Sequence, residues 1–175
     1  MRLRGADYNR MGAVFLTICT KDRKCILSRI VGTGVPDGPS IQLSQYGKIA
    51  DKFINQLNEF YDNSSVESYV IKPNHIHILL WIQGNEDVES EGDGASRTPD
   101  SNGPSRTPVP TVQNSVPSRF ISTFKRFCNK ECGMNIWQYR SYDHIIRNRE
   151  DLEKHLWYIH ENPLRWIYDE LYSEE

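Results

Sequence analysis

No stretch of this chain approaches the roughly 20 consecutive apolar residues of a membrane-spanning helix. The start, Met1-Arg2-Leu3-Arg4-Gly5, has none of the apolar run of a secretion signal. A cytoplasmic, nucleoid-associated protein with no membrane contact is therefore the expectation. Cysteine is scarce: Cys19, Cys25, Cys128 and Cys132 are the only four. Their spacing fits no common zinc knuckle, and with no sign of secretion they read as reduced, buried thiols rather than bridges. A large excess of one charge is also missing, since the formal net charge is −2. The negative charge sits in two places: Gln83–Val116 has six acids against two bases, and Asp169 onward has four acids and no base. The rest stands at +6, a mildly basic body compatible with a phosphate-bearing partner.

The 175 residues suit one domain, 1–175, with a single core. Gln83 to Val116 breaks the composition: it is rich in Gly, Ser, Pro and acids and repeats Ser-Arg-Thr-Pro at Ser96 and Ser105. Such a segment cannot bury enough surface to offset its ordering entropy, so 83–116 reads as a disordered insertion. Gly32 to Ser40 reads as a loop or hairpin.

Seven elements account for the remainder. Ala13–Thr20, Val66–Ile71, His75–Ile82 and Tyr142–Arg147 read as strands. Ser44 to about Tyr61 and Ser118 to about Lys130 read as helices by their apolar spacing, and a last helix runs from Arg149 to about Asn162, stopped by Pro163. The order matches an α+β, ferredoxin-like or RRM-like βαββαβ fold: an antiparallel sheet with helices on one face, plus a C-terminal helix.

The most informative residues are His75-Ile76-His77. In a strand, residues two apart share a face, so His75 and His77 present two imidazoles side by side while Ile76, Ile78, Leu80 and Ile82 turn to the other face. Two adjacent nitrogen donors on a rigid strand make half of a metal site. Ordinary strand histidines with satisfied hydrogen bonds are the rival reading. On the last helix, Leu152, Leu156 and Ile159 form a docking stripe, and Tyr158 and Asn162 are four apart on one face beside it. That helix edge can close over the strand histidines, placing a phenol beside an ion held by His75, His77 and the Asn162 side-chain oxygen. An ion on a phosphate oxygen draws charge from phosphorus, and a phenol in line can attack to form a covalent phosphotyrosine. The link conserves the energy of the cleaved bond, so strand transfer needs no ATP.

Several pieces, in order, resemble one family. They are Arg4-Gly5-Ala6-Asp7-Tyr8 with Phe15-Leu16-Thr17-Ile18-Cys19-Thr20; Lys72-Pro73-Asn74-His75-Ile76-His77; Trp137 to Asn148; and Tyr158-Ile159-His160-Glu161-Asn162-Pro163. Together they resemble the single-tyrosine transposases of the HUH superfamily, in the branch of REP-associated tyrosine transposases. The resemblance implies that His75 and His77 are metal ligands and that Tyr158 is the catalytic nucleophile that takes a 5′-phosphate. Asn162 stands where relatives often place a glutamine as third ligand. It implies Mg2+ or Mn2+ as cofactor, hairpin-containing single-stranded DNA as partner, and a monomer or homodimer. Among the rival tyrosines Tyr139, Tyr142 and Tyr168, only the Asn162-Pro163 context and the resemblance single out Tyr158.

Arg119, Lys125, Arg126, Lys130, Arg140 and Arg147 are the candidate DNA-binding residues. A basic helix face is more often simply solvated, and the rings of Trp137 and Trp166 are more often packing than base platforms. His144 is an open case between site and fold. Two other functions stay open on the residues alone: a non-catalytic single-stranded nucleic-acid-binding module, although the aromatic RNP signature of such sheets is missing, and a host-adapted transposase relative.

Overall fold

The computed structural model describes residues 12–32, 39–83, 115–161, 166 and 168–172. The apolar, β-branched run after Gly12 forms β1 (Gly12–Cys19), and a 3-10 turn at Lys21–Arg23 follows. A short ribbon pairs β2 (Ser28–Val31) with β3 (Ser40–Leu43), one on either side of the expected loop. Helix α1 (Gln45–Phe60) is started by Ser44, whose hydroxyl accepts from the Gly47 amide at 3.1 Å. Strands β4 (Ser64–Ile71) and β5 (His75–Ile82) form a hairpin around Lys72-Pro73-Asn74. Then come α2 (Val116–Cys132), ended by Gly133 at φ 68, β6 (Tyr142–Ile145) and α3 (Arg149–His160).

The main sheet has the order β4-β5-β1-β6, every pair antiparallel. That is the strand order of the expected ferredoxin-like fold. Helix α2 begins at Val116 rather than Ser118, because Ser115 and Val116 are already buried at its start. The bulk of the expected insertion, 84–114, lies outside the described residues. The β2–β3 ribbon is an addition to the seven expected elements.

Alternation assigns each strand residue to a layer. Ile76, Ile78, Leu80 and Ile82 of β5 and Val14, Leu16 and Ile18 of β1 join Ala50, Ile54 and Leu57 of α1 and Phe120, Phe124 and Cys128 of α2 in the main core. The opposite face carries a smaller cluster, where Ala13, Phe15, Val70 and Leu79 meet Ile159 of α3, flanked by Leu152, Leu156 and Tyr158. Helix α3 thus docks by its apolar stripe on the face that α1 and α2 leave open. Among the described residues no helix is long and apolar enough to cross a membrane.

Candidate active site

His75 and His77 lie on the α3 side of the sheet, both buried. Register places His77 opposite Thr17 and Val70, and His75 opposite Cys19. The turn before them is pinned from both sides: the Lys72 amide donates to the His75 carbonyl at 2.9 Å, and the Asn74 carbonyl accepts from the Thr20 amide at 2.9 Å. Asn74 Oδ1 lies 2.6 Å from His75 Nδ1 and Thr17 Oγ1 lies 3.0 Å from His77 Nδ1. With Nδ1 of each ring so occupied, the two Nε2 atoms face one another at 3.0 Å. Phe15 stacks on the His77 ring at 4.9 Å and fixes its plane.

Burial, aided by the nearby Lys72 and Arg23 charges, pushes the His75 pKa down to about 2. Burial and the surrounding His75, Lys72 and His155 hold His77 well below the usual histidine range. Both rings are neutral at pH 7, the state in which imidazole binds a metal.

Tyr158 comes from the same chain. Its ring lies 5.2 Å from that of His77, and its hydroxyl donates to Asp169 Oδ2 at 2.9 Å. The same carboxylate oxygen pairs with Lys72 Nζ and lies 3.8 Å from His75 Nε2. Lys72 Nζ is 3.4 Å from the Tyr158 oxygen and 4.9 Å from its ring centre. Both side chains of the ion pair are almost wholly buried, 1% exposed for Lys72 and 2% for Asp169. Burial draws the Lys72 pKa down to about 7, while the adjoining carboxylate favours the charged form. The segment carrying Asp169 is strapped down by Asn74, whose amide donates to the Leu171 carbonyl at 2.8 Å, and Trp166 packs 5.9 Å from the His75 ring.

His75, His77 and Asp169 bring three donor atoms within 4.8 Å of one another. Two imidazoles and a carboxylate in that span fit a divalent ion. Asn162 lies outside the described residues. Asp169 is the donor that sequence reasoning missed, having been counted with the acidic tail; the flanking Trp166 and Leu171 were the signal that this segment packs. Lys72 enters the sequence reading only as part of the Lys72–His77 motif, with no role assigned.

The other expected residues are distributed differently. Arg119, Arg126 and Lys130 are exposed on α2, on the opposite layer from the histidines. Lys125 Nζ donates to the carbonyls of Gln138, Tyr139 and Arg140. Arg140 and Arg147 are exposed on either side of β6, at the sheet edge beside β1. Tyr139, Tyr142 and Tyr168 are exposed. Trp137 is buried in the main core, and the four cysteines are free thiols, two of them buried. His144 pairs with Asp151 at 2.9 Å.

No family model matches the chain. An uncharacterized protein of Haemophilus influenzae is 26% identical over 175 residues, covering 99% of this chain and 92% of that one. The REP-associated tyrosine transposase of Escherichia coli is 37% identical over 62 residues, 34% of this chain and 37% of its own. A solved structure of a REP-associated tyrosine transposase bound to a REP hairpin superposes with a TM-score of 0.58 at 19% identity, covering 94% of this chain and 74% of that one. By sequence over part of its length and by fold over nearly all of it, the chain resembles the REP-associated tyrosine transposases.

Proposed function

We propose that the protein is a metal-dependent single-stranded DNA endonuclease and strand transferase that acts through a covalent 5′-phosphotyrosine at Tyr158. One observation carries this reading: a tyrosine hydroxyl, a buried ion pair and two neutral imidazoles meet in one place. Tyr158 is the nucleophile. Asp169 Oδ2, already its hydrogen-bond acceptor, is placed to take the phenolic proton, and the Lys72 ammonium stabilises the phenolate that results. The phenolate attacks phosphorus and the 3′-oxygen leaves. A divalent ion of the Mg2+ or Mn2+ class would be held by His75, His77 and Asp169, with Asn162 as the further expected ligand, and would draw charge from the phosphate.

For the DNA path, the β6 edge and the α2 side of the sheet are joined by an open groove of about 1010 Å³, lined by polar residues such as Asn129, Gln138 and Arg140 and by the rings of Trp137, Tyr139 and Tyr142. Arg140, just before Tyr142, serves phosphates at the histidine end of the sheet, and Arg147, Arg119, Arg126 and Lys130 those farther away.

The test is a Mn2+-dependent cleavage assay on labelled single-stranded hairpins. Wild type yields a covalent protein–DNA band, and Tyr158→Phe loses the band while keeping most of its DNA affinity. A band of wild-type intensity from Tyr158→Phe refutes the assignment. DNA binding indifferent to chelator, with no covalent product from wild type, favours the non-catalytic module instead.

A further inference from the structure

A second group of metal-type donors stands apart from the one already described. His144 comes from β6, and Asp151 and His155 lie one turn apart on α3. Their donor atoms lie within 4.8 Å of one another. Asp151 Oδ2 accepts from His144 Nε2 at 2.9 Å and from the Arg147 amide at 3.1 Å. His155 Nδ1 lies 3.2 Å from Asp151 Oδ1 and 2.8 Å from the Asp151 main-chain carbonyl. The two imidazoles stack nearly parallel, 4.9 Å apart with 19° between their planes.

The arrangement follows from register and helix pitch. β6 pairs His144 with Phe15, so its side chain shares the α3 side of the sheet with that ring. His155 packs on the same ring, 4.5 Å away. The i, i+4 spacing brings Asp151 under His155, and the Asn148 cap, accepting from the Asp151 amide at 2.8 Å, fixes where the turn begins. Donor separations of 2.9 and 3.2 Å are close to those around an ion with bonds of about 2.0–2.2 Å. Two nitrogens and one carboxylate favour an ion of borderline softness over Mg2+. His144, with its side chain 46% exposed, leaves the cluster open to water for the remaining positions.

We propose that His144, Asp151 and His155 form a second metal site, of the zinc class, that ties β6 to α3. Loading exchanges hydrogen bonds for coordination. His144 Nε2 and His155 Nδ1, the ring atoms that face Asp151, turn a lone pair to the ion, and each ring then carries its hydrogen on the other nitrogen. The Asp151 main-chain carbonyl keeps its helical bond. The site requires only these three side chains and does not rest on the transposase reading.

Calorimetric titration with Zn2+ tests it on wild type, His144→Ala and His155→Gln. Each substitution should remove one equivalent of zinc or weaken it at least tenfold. If both sites load, stoichiometry falls from two to one. A fall from one to zero means that His75 and His77 take no zinc, which counts against the proposed active site and leaves this one standing. Equal stoichiometry and affinity in all three proteins, or a loss in only one variant, overturns the proposal. The unsubstituted protein gives an independent reading through diethyl pyrocarbonate labelling read by mass spectrometry. Saturating zinc should slow modification of His144 and His155 together; protection of His144 alone, or of neither, overturns it.

Discussion

The Lys72–Asp169 pair yields a quantitative prediction. Lys72→Met leaves the Asp169 carboxylate buried without its cation, a change that costs roughly 3–5 kcal/mol in a dry interior. Among the described residues two donors remain, the Tyr158 hydroxyl at 2.9 Å and the Leu171 amide at 2.8 Å, so the expected loss is at the low end, about 3 kcal/mol. At this chain length that corresponds to a fall in Tm of roughly 6–12 °C. Asp169→Leu should cost less at pH 8, because burial already draws Lys72 down to about 7 and the orphaned amine can shed its proton. The double variant should return to within about 1 kcal/mol of wild type, giving a coupling energy of roughly 2 kcal/mol or more. Urea denaturation in the presence of chelator measures all four proteins. Saturating Mn2+ should then shrink the Lys72→Met penalty, since an ion beside Asp169 takes over the role of the ammonium. A Lys72→Met loss under about 1 kcal/mol in chelator, or strictly additive single losses, would mean that the two side chains are not a buried ion pair.

Gly47→Ala should be among the most damaging small substitutions: an added Cβ would sit 2.1 Å from the Leu27 carbonyl oxygen, which the Ser44 amide holds in place. A loss of about 3 kcal/mol, the upper end for overpacking, is expected in urea; a change under about 0.5 kcal/mol refutes the close approach. Lys125 supplies a pH signature. Burial lowers its pKa from 10.5 to about 8, so between those values the unfolded chain holds a proton that the folded one has released. Wild-type stability should therefore rise relative to Lys125→Met as pH climbs through that window and fall back as pH drops to 8; parallel pH profiles for the two proteins contradict it.

Strand β5 was legible to the residue because period-two alternation between imidazole and aliphatic side chains has one solution. Tyr158 was legible in its setting, since the stripe of Leu152, Leu156 and Ile159 fixes which side of α3 meets the sheet. Three features were not. Strand β2, Ser28–Val31, is short and half polar, and exists because β3 pairs with it. Lys72 reads as a solvated turn residue, and only the packing of Tyr158 and Trp166 over it removes it from water. Asp169 reads as one acid among four, and its burial comes from the chain after α3 folding back onto Asn74. Local periodicity has no access to either of these last two, because each is created by contact between segments far apart in sequence.

Gln83, where β5 gives way to the acidic connector, hydrogen-bonds the Asn63 carbonyl at 2.9 Å. His75 stands at the other tip of that eight-residue strand, roughly 25 Å away at the usual rise. Ser115, where the connector rejoins the body, stands just before the first turn of α2, while the far end of that helix leads on to Ile136, whose carbonyl accepts from the Lys21 amide near the histidine tip. Both attachment points of 84–114 therefore lie at the end of the domain remote from the imidazoles. Lengthening, trimming or rewriting that connector changes the chain between two anchors at the far pole and leaves His75, His77 and Tyr158 in register.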